Sequence, residues 1–194
     1  MDNLYLIDVT EMLDIDKIEE YNQDFQKSRP DTWKPFVTRN NFDEYLKNMK
    51  NLRENGSKDG IKEIYYWLID NEKIVGSGSI RLNPEIDDYT NIFCGHLFYQ
   101  TLPSQRGKGY GKVLCHLLLK EMQKLGFKEA LVTCFDTNIG SRKIIEENGG
   151  QFIEYVYDEE IENPDWVKNR RYKIDIEKSL ANFNEEKYKI QKKL

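Results

Sequence analysis

The hydrophobic period of the chain changes several times, and each change marks an element. Leu4 to Val9, LYLIDV, is short and rich in β-formers and predicts a first strand. From about Thr10 to Lys27 the apolar positions Met12, Ile15, Ile18, Tyr21 and Phe25 recur at three and four, which is one face of a helix, and Ser28-Arg29-Pro30 ends the run. A second stripe, Phe42, Tyr45, Leu46, Met49 and Leu52, predicts a helix that starts at Asn40 or Asn41 and stops at Asn55-Gly56. The period then falls to two. Glu63 to Asp70 and Lys73 to Asn83 read as a hairpin about Asn71-Glu72. Its second strand alternates Ile74, Gly76, Gly78, Ile80 and Leu82 with Ser77, Ser79, Arg81 and Asn83. Ile92 to Leu102 predicts a further strand. The broadest stripe of all follows, Tyr110, Val113, Leu114, Leu117, Leu118, Met122 and Leu125, closed by Gly126. Glu129 to Phe135 is a strand apolar enough to be buried on both faces. Asn138 to Gly150 is a short helix with Asn138 as cap, and Gln151 to Ile161 and Arg170 to Ile176 are strands around an acidic loop. From Glu177 the tail is charged and helical. The order β-α-α-β-β-β-α-β-α-β-β predicts an α/β fold with one mixed sheet and helices on both faces.

Composition narrows the function classes. The 194 residues are 39% hydrophobic and 32% charged, as expected of one ordinary domain with a core of its own. A net charge of −5 argues against nucleic acid, whose phosphates call for a basic surface. No window approaches the ~20 apolar residues of a membrane span, and the N-terminus lacks the basic-then-apolar pattern of a signal peptide. Cys94, Cys115 and Cys134 are an odd number, far apart and without metal-ligand spacing. They predict reduced thiols, no metal site and a cytoplasmic protein.

The candidate chemistry begins at Gln105 to Gly111, QRGKGYG, directly before the broadest helix. A helix start presents unpaired N–H groups and the positive end of the helix dipole. Glycines let the preceding loop curl its N–H groups toward an anion and let that anion approach the backbone. Arg106, Lys108 and Lys112 add positive charge. A cradle for a phosphate or pyrophosphate is one reading and a plain flexible turn the other. Gly107, Gly109 and Gly111 give G-x-G-x-G rather than the dinucleotide G-x-G-x-x-G, and Val113 after Lys112 excludes a P-loop.

Arg106-Gly107-Lys108-Gly109-Tyr110-Gly111 matches R-x-x-G-x-G, and Asn138-Ile139-Gly140-Ser141-Arg142 with Ile144 and Gly149 matches a second motif one helix and one strand later. In this register the two resemble the acetyl-CoA signatures of the GNAT superfamily of N-acetyltransferases. Gly95-His96, Thr133 to Lys143 and Arg171-Tyr172-Lys173-Ile174 are similar to one subgroup of predicted acetyltransferases. The resemblance is close over about residues 60 to 176 and loose before them. It implies the acyl-CoA N-acyltransferase fold, with a central, mostly antiparallel sheet and helices on both faces. It implies one N-acetyltransferase domain over residues 1–194, with a charged tail from about 177. Acetyl-CoA is the implied cofactor. Its pyrophosphate would lie on the backbone of Arg106, Gly107, Lys108, Gly109, Tyr110 and Gly111. Its pantetheine arm would run along the strand ending at Leu102, in a V-shaped split beside Glu129 to Phe135, and Asn138 and Ser141 would meet it. The acceptor would be the amine of a small molecule or peptide, in a pocket lined by the two N-terminal helices and the late hairpin, with Trp33 and Phe36 contributing. Many members of the superfamily dimerise, so a homodimer is the expected assembly.

Acetyl transfer needs a neutral amine, and neutralising a lysine-like amine at pH 7 costs about 4–5 kcal/mol. A base and an oxyanion donor lower that barrier. His96, on the strand leading to the motif, is the candidate base, with a structural histidine as the alternative. A backbone N–H near Leu102 is the candidate oxyanion donor. His116 is expected at the surface. The superfamily's usual acid, a tyrosine seven residues after the motif asparagine, is replaced by Ile145. Tyr99 and Tyr155 are conceivable substitutes, and neither is assigned. Asp158, Glu159, Glu160, Glu162 and Asp165 either attract a cationic acceptor or form a solvated loop. The departure at Ile145 leaves a second function open, a non-catalytic acyl-CoA sensor or scaffold.

Overall fold

The computed structural model describes residues 3–12, 14–32, 34–35 and 37–190. Two antiparallel sheets form its centre. The first has the order β1-β2-β3-β4, with β1 Leu4–Asp8, β2 Glu63–Asp70, β3 Lys73–Arg81 and β4 Leu97–Thr101. The second has the order β5-β7-β6, with β5 Glu129–Phe135, β6 Gln151–Tyr157 and β7 Lys168–Asp175. The expected single sheet is thus two halves, bridged at Gly95 and Val132. The β2–β3 turn is as predicted. Asn71 and Glu72 have φ of 46° and 66°, and two left-handed residues give the twist a two-residue hairpin needs.

Helices cover both faces. On one lie α1 (Ile15–Ser28) and α2 (Phe42–Asn55). The Asp14 carboxylate accepts from the N–H groups of Asp16 and Lys17 and starts α1. Its stripe, Ile18, Tyr21 and Phe25, is buried with Trp67 and Ile69 of β2. On the other face lie α3 (Tyr110–Lys124), α4 (Ile139–Glu147) and, after a short α5 (Pro164–Val167), α6 (Ile176–Ala181). Val113, Leu114, Leu117, Leu118 and Met122 of α3 join Leu68, Ile80, Val132 and Ile174 in the main core. Each such side chain is worth about 1.5–3 kcal/mol when fully buried, so α3 ties the two half-sheets together.

Two further expectations change. Residues 92–94 are not strand. Thr90–Cys94 is a π-helical turn, ended by Gly95 at φ 63° and ψ −158°, and β4 starts only at Leu97. The β-forming side chains there cover the second sheet instead, and the Ile92 carbonyl accepts from Thr133 Oγ1 at 3.1 Å. His116 is not at the surface but fully buried. The tail returns across α3, stacks Phe183 on the imidazole at 3.7 Å and sets Glu185 2.8 Å from Nε2.

Burial pushes the His116 pKa below its ordinary value, against the opposing pull of Glu185, and Lys120, 2.7 Å from Glu185, works with burial. A depressed folded value means that the unfolded chain binds the proton more readily. The stability contributed here is therefore complete above about pH 6.5 and is lost as pH falls through the depressed value. We expect the midpoint of thermal unfolding to drop below about pH 6.5 and to drop less in His116→Gln. Equal acid sensitivity of the two proteins would refute the assignment.

Candidate active site

Beyond the Gly95–Val132 bridge, β4 pairs with β3 and β5 pairs with β7. Beyond that one bridge β4 and β5 share no ladder, so the facing edge of each is unpaired where the V-shaped split is expected. Its apex is built from few groups. The His96 N–H donates to Leu131 O at 2.8 Å, and the Leu131 N–H donates to His96 Nδ1 at 3.1 Å. Arg81 donates to Gly95 O at 3.3 Å and lies 3.5 Å from Glu63, whose carboxylate also accepts from Ser79 at 2.5 Å. A Cβ on Gly95 would stand 2.5 Å from Leu131 O, so only glycine permits this approach. Alternation marks Arg81 only as a polar strand position, and nothing local marks Gly95 as the point where the sheets touch.

His96 therefore lies at the apex, with its pKa lowered chiefly by burial. Its geometry does not suit the expected base. A neutral imidazole that accepts at Nδ1 carries its proton on Nε2, so one nitrogen is engaged and the other is a donor. Leu102 also departs from expectation. Its N–H donates to Val75 O at 3.0 Å and its side chain is buried with the α1–α2 cluster. Antiparallel pairing alternates, so with Leu102 and Val75 forming a bonded pair, the amides turned away from β3 into the split are those of Leu97, Tyr99 and Thr101.

Above the split, the glycines divide their work. Gly107 and Gly109 have φ of 75° and 89°, which other residues adopt at a cost, and Gly109 caps α3 without any side-chain bond. A Cβ on Gly107 would meet nothing within 4 Å, so space is open before the loop. Gly111 serves packing, because a Cβ there would stand 2.6 Å from Ile144 Cδ1. Arg106 and Lys108 are exposed, and Lys108 reaches Gln105 at 2.9 Å. Lys112 is turned to Glu147, at 3.4 Å. The side chain of Tyr110 points inward to Asp70 at 2.5 Å, so only its backbone is available to a ligand. Uncapped N–H groups, open space and left-handed glycines fit a pyrophosphate, and the split with its inward amides fits an acyl-pantetheine arm.

The second motif sits across the split from β4. Asn138 accepts from the Ser141 N–H at 3.0 Å and caps α4, so its Oδ1 already has a structural task. The Ser141 hydroxyl is 2.8 Å from that of Tyr99, which reaches over from β4. Ile145 is fully buried in the main core. Tyr155 lies on β6, two strands from β5, beneath Lys168 at 3.8 Å. Cys134 is buried, its thiol pushed up to about 11 by that burial. Phe98 projects from the other face of β4, and Phe135 stacks on Trp166 at 5.6 Å on the other lip. Trp33 and Phe36 lie outside the described residues. In the acidic loop, Asp158 is buried and accepts from Tyr89 at 2.8 Å, whereas Glu159, Glu160, Glu162 and Asp165 are exposed. Among the described residues no cluster of side chains has metal-binding geometry, and no helix is long and apolar enough to cross a membrane.

The sequence matches the acetyltransferase (GNAT) domain family over residues 3–151. The chain belongs to the GNAT acetyltransferase family. Curated proteins give no match. Among solved structures, a spermidine N-acetyltransferase SpeG chimera from Vibrio cholerae and hSSAT superposes with a TM-score of 0.61 at 18% identity, covering 92% of this chain and 99% of that one. The Salmonella typhimurium acetyltransferase that modifies the N-terminal serine of ribosomal protein L7/L12 gives 0.61 at 13% identity, over 88% and 93%. Salmonella typhimurium yncA with its cofactor acetyl-CoA gives 0.59 at 13% identity, over 89% and 94%. At these identities the likeness shows the GNAT fold.

Proposed function

We propose that this acetyltransferase moves an acetyl group from acetyl-CoA to a primary amine of a small molecule or peptide, and that residues 1–194 act as one N-acetyltransferase domain. The observation that carries this reading is the break in pairing between β4 and β5 beyond the Gly95–Val132 bridge, together with the left-handed glycine cap at the start of α3. Acetyl-CoA supplies an acyl group already activated as a thioester. The chain supplies N–H groups of Gly107 to Gly111 for the pyrophosphate and the amides of Leu97, Tyr99 and Thr101 for the arm and for developing negative charge on the acyl oxygen. The amine approaches from the α1–α2 face, between Phe98 and the Phe135–Trp166 pair. The neighbours named for spermidine and for a ribosomal protein N-terminus support an amine acceptor. A thermal-unfolding titration tests the reading. Acetyl-CoA at about 100 times its dissociation constant should add roughly 2.7 kcal/mol, and ATP and NAD should not. No rise at millimolar acetyl-CoA would refute it. Binding without transfer to any amine would leave the non-catalytic scaffold instead.

His96 is proposed to act at the apex as a pin and an Nε2–H donor. His96→Ala should lower both thermal stability and turnover, and His96→Gln, whose amide oxygen can accept from Leu131, should recover much of both. If Gln restores stability but leaves turnover as low as Ala does, His96 is the base. A second copy of the chain is the proposed partner of β6, an edge strand whose Phe152, Ile153, Tyr155 and Tyr157 are exposed. Sedimentation should show a dimer that Phe152→Glu dissociates; a wild-type monomer would overturn this.

A further inference from the structure

A cavity of about 360 Å³ lies where α6 and the tail after it meet the first turn of α3 and the end of α4. That volume is in the range of small-molecule sites. Among the described residues, none of its wall comes from the glycine loop, β4 or β5. Two buried polar side chains in the wall are incompletely paired. Asn148 is 2% exposed, and its Nδ2 donates to Lys112 O at 3.2 Å and to Ile144 O at 2.9 Å. Those two carbonyls fix the amide's orientation and leave Oδ1 an acceptor with no partner among the described residues. Ser179 of α6 is 6% exposed, and its hydroxyl has no partner there either. Buried polar groups are costly to leave unpaired, and a cavity that both residues border is where a partner fits. The wall also carries the ammoniums of Lys112, Lys178 and Lys187 against the carboxylates of Glu147 and Asp175. Glu147 is engaged by Lys112 at 3.4 Å and Lys143 at 3.9 Å, and Asp175 accepts from the Lys178 N–H at 3.0 Å and starts α6. Lys178 and Lys187 have no ion pair among the described residues. Phe183 and Tyr188, with ring centroids 5.3 Å apart, supply the apolar part of the wall.

We propose that this cavity is a second binding site, for a phosphate monoester that carries hydroxyl groups, as a sugar phosphate does. Each part of the wall selects one part of the ligand. A phosphate monoester bears close to two negative charges at neutral pH, and Lys178 and Lys187 are two ammoniums not spent on the chain's own carboxylates. One ligand hydroxyl donates to Asn148 Oδ1 and another pairs with Ser179 Oγ. The carbon skeleton lies against Phe183 and Tyr188. A bare anion satisfies only the lysines, and an uncharged sugar only the amide and the hydroxyl. The proposal does not depend on the acetyl-CoA reading, because the wall shares no residue with the glycine loop, β4 or β5. Occupancy has a structural consequence. Asn148 belongs to the end of α4, whereas Phe183, Lys187 and Tyr188 belong to the tail that stacks on His116. A bound ligand bridges the two and holds the tail against the domain.

The test is binding of ribose 5-phosphate to the full-length protein, with inorganic phosphate and ribose as controls, read by thermal unfolding and by hydrogen exchange. Ribose 5-phosphate should bind with a dissociation constant of about 1 mM or below and about tenfold tighter than inorganic phosphate, the worth of one net hydrogen bond. Ribose should not bind at millimolar concentration. Exchange should slow in residues 182–188 and stay unchanged in residues 107–111. Saturating acetyl-CoA should leave the affinity as it was. Ser179→Ala removes a hydroxyl that has no partner in the chain, so the ligand-free unfolding midpoint should hold while affinity for ribose 5-phosphate falls about tenfold. Lys178→Ala combined with Lys187→Ala should weaken binding by about tenfold, and more at low salt than at high. Ribose 5-phosphate that does not bind, or binds no tighter than inorganic phosphate, overturns the proposal. So does a Ser179→Ala protein that folds and keeps wild-type affinity. Protection in residues 107–111, with displacement by acetyl-CoA, would place the anion in the glycine loop and overturn it as well.

Discussion

Gly95→Val is expected to be the most damaging single substitution in the chain. Gly95 holds φ 63° and ψ −158°, a region open to glycine almost alone, and forcing another residue into it costs about 1–3 kcal/mol. The added Cβ would also stand 2.5 Å from Leu131 O and 3.3 Å from Val132 Cα, both on backbone that cannot step aside. Overpacking of this kind adds about 1–3 kcal/mol. Together that is roughly 2–6 kcal/mol from a total of about 5–15, and an unfolding midpoint lower by about 5–20 °C. The loss should not stop at stability. Gly95 is where the two half-sheets touch, and Arg81 and His96 brace the same point. Prying the strands apart moves the apex of the split, so acetyl transfer should fall in whatever fraction still folds. Thermal unfolding and single-turnover transfer measure the two effects. A midpoint within a degree of wild type would show that the half-sheets do not depend on this contact.

Much of the fold was legible because local pattern and tertiary environment agree. The hairpin of β2 and β3 needed only alternating residues and a two-residue turn, and α3 needed only its stripe and Gly126. Where they disagree, local pattern misled. Ile92, Phe93 and Cys94 look like strand, but Gly95 cannot continue one in the conformation it holds, and the preceding residues coil into a π-turn over β5. His116 lies on what looks like the polar side of α3, yet a tail far away in sequence closes over it. No periodicity within α3 encodes that cover. The same limit applies to the site. The glycine loop and the α4 motif are each contiguous in sequence, so a local pattern can propose them. The split is a relation between two strands, and which amides of β4 face it depends on pairing with β3. The bond from Leu102 to Val75 reverses the expected assignment by one residue, which moves the candidate donors to Leu97, Tyr99 and Thr101.

Gly109→Val should abolish acetyl-CoA binding while leaving most of the fold in place. Gly109 is the cap of α3 at φ 89° and ψ −2°, and no side chain closes that helix end. A β-branched residue there costs about 1–2 kcal/mol in backbone strain, and the cheapest relief is to rotate the loop out of the left-handed region. That rotation turns away the very N–H groups that would receive the pyrophosphate. The position is exposed, outside the core that holds α3 on β3, so the helix itself should survive. The two consequences separate cleanly. The unfolding midpoint without ligand should fall by only about 2–8 °C, since each kcal/mol is worth about 2–4 °C in a chain of this length. The shift on adding acetyl-CoA, about 2.7 kcal/mol in the wild type at 100 times its dissociation constant, should disappear, which requires affinity to weaken by about 10²-fold or more. Lys108→Ala is the contrasting change. Its exposed ammonium is tied to Gln105, so removing it takes away one screened charge and leaves the loop's shape alone. It should weaken binding by only a few-fold, and more at low salt than at high. If Lys108→Ala hurts binding as much as Gly109→Val, charge rather than backbone geometry holds the ligand. If Gly109→Val still shows the full acetyl-CoA shift, the glycine run is a turn and the anion site lies elsewhere.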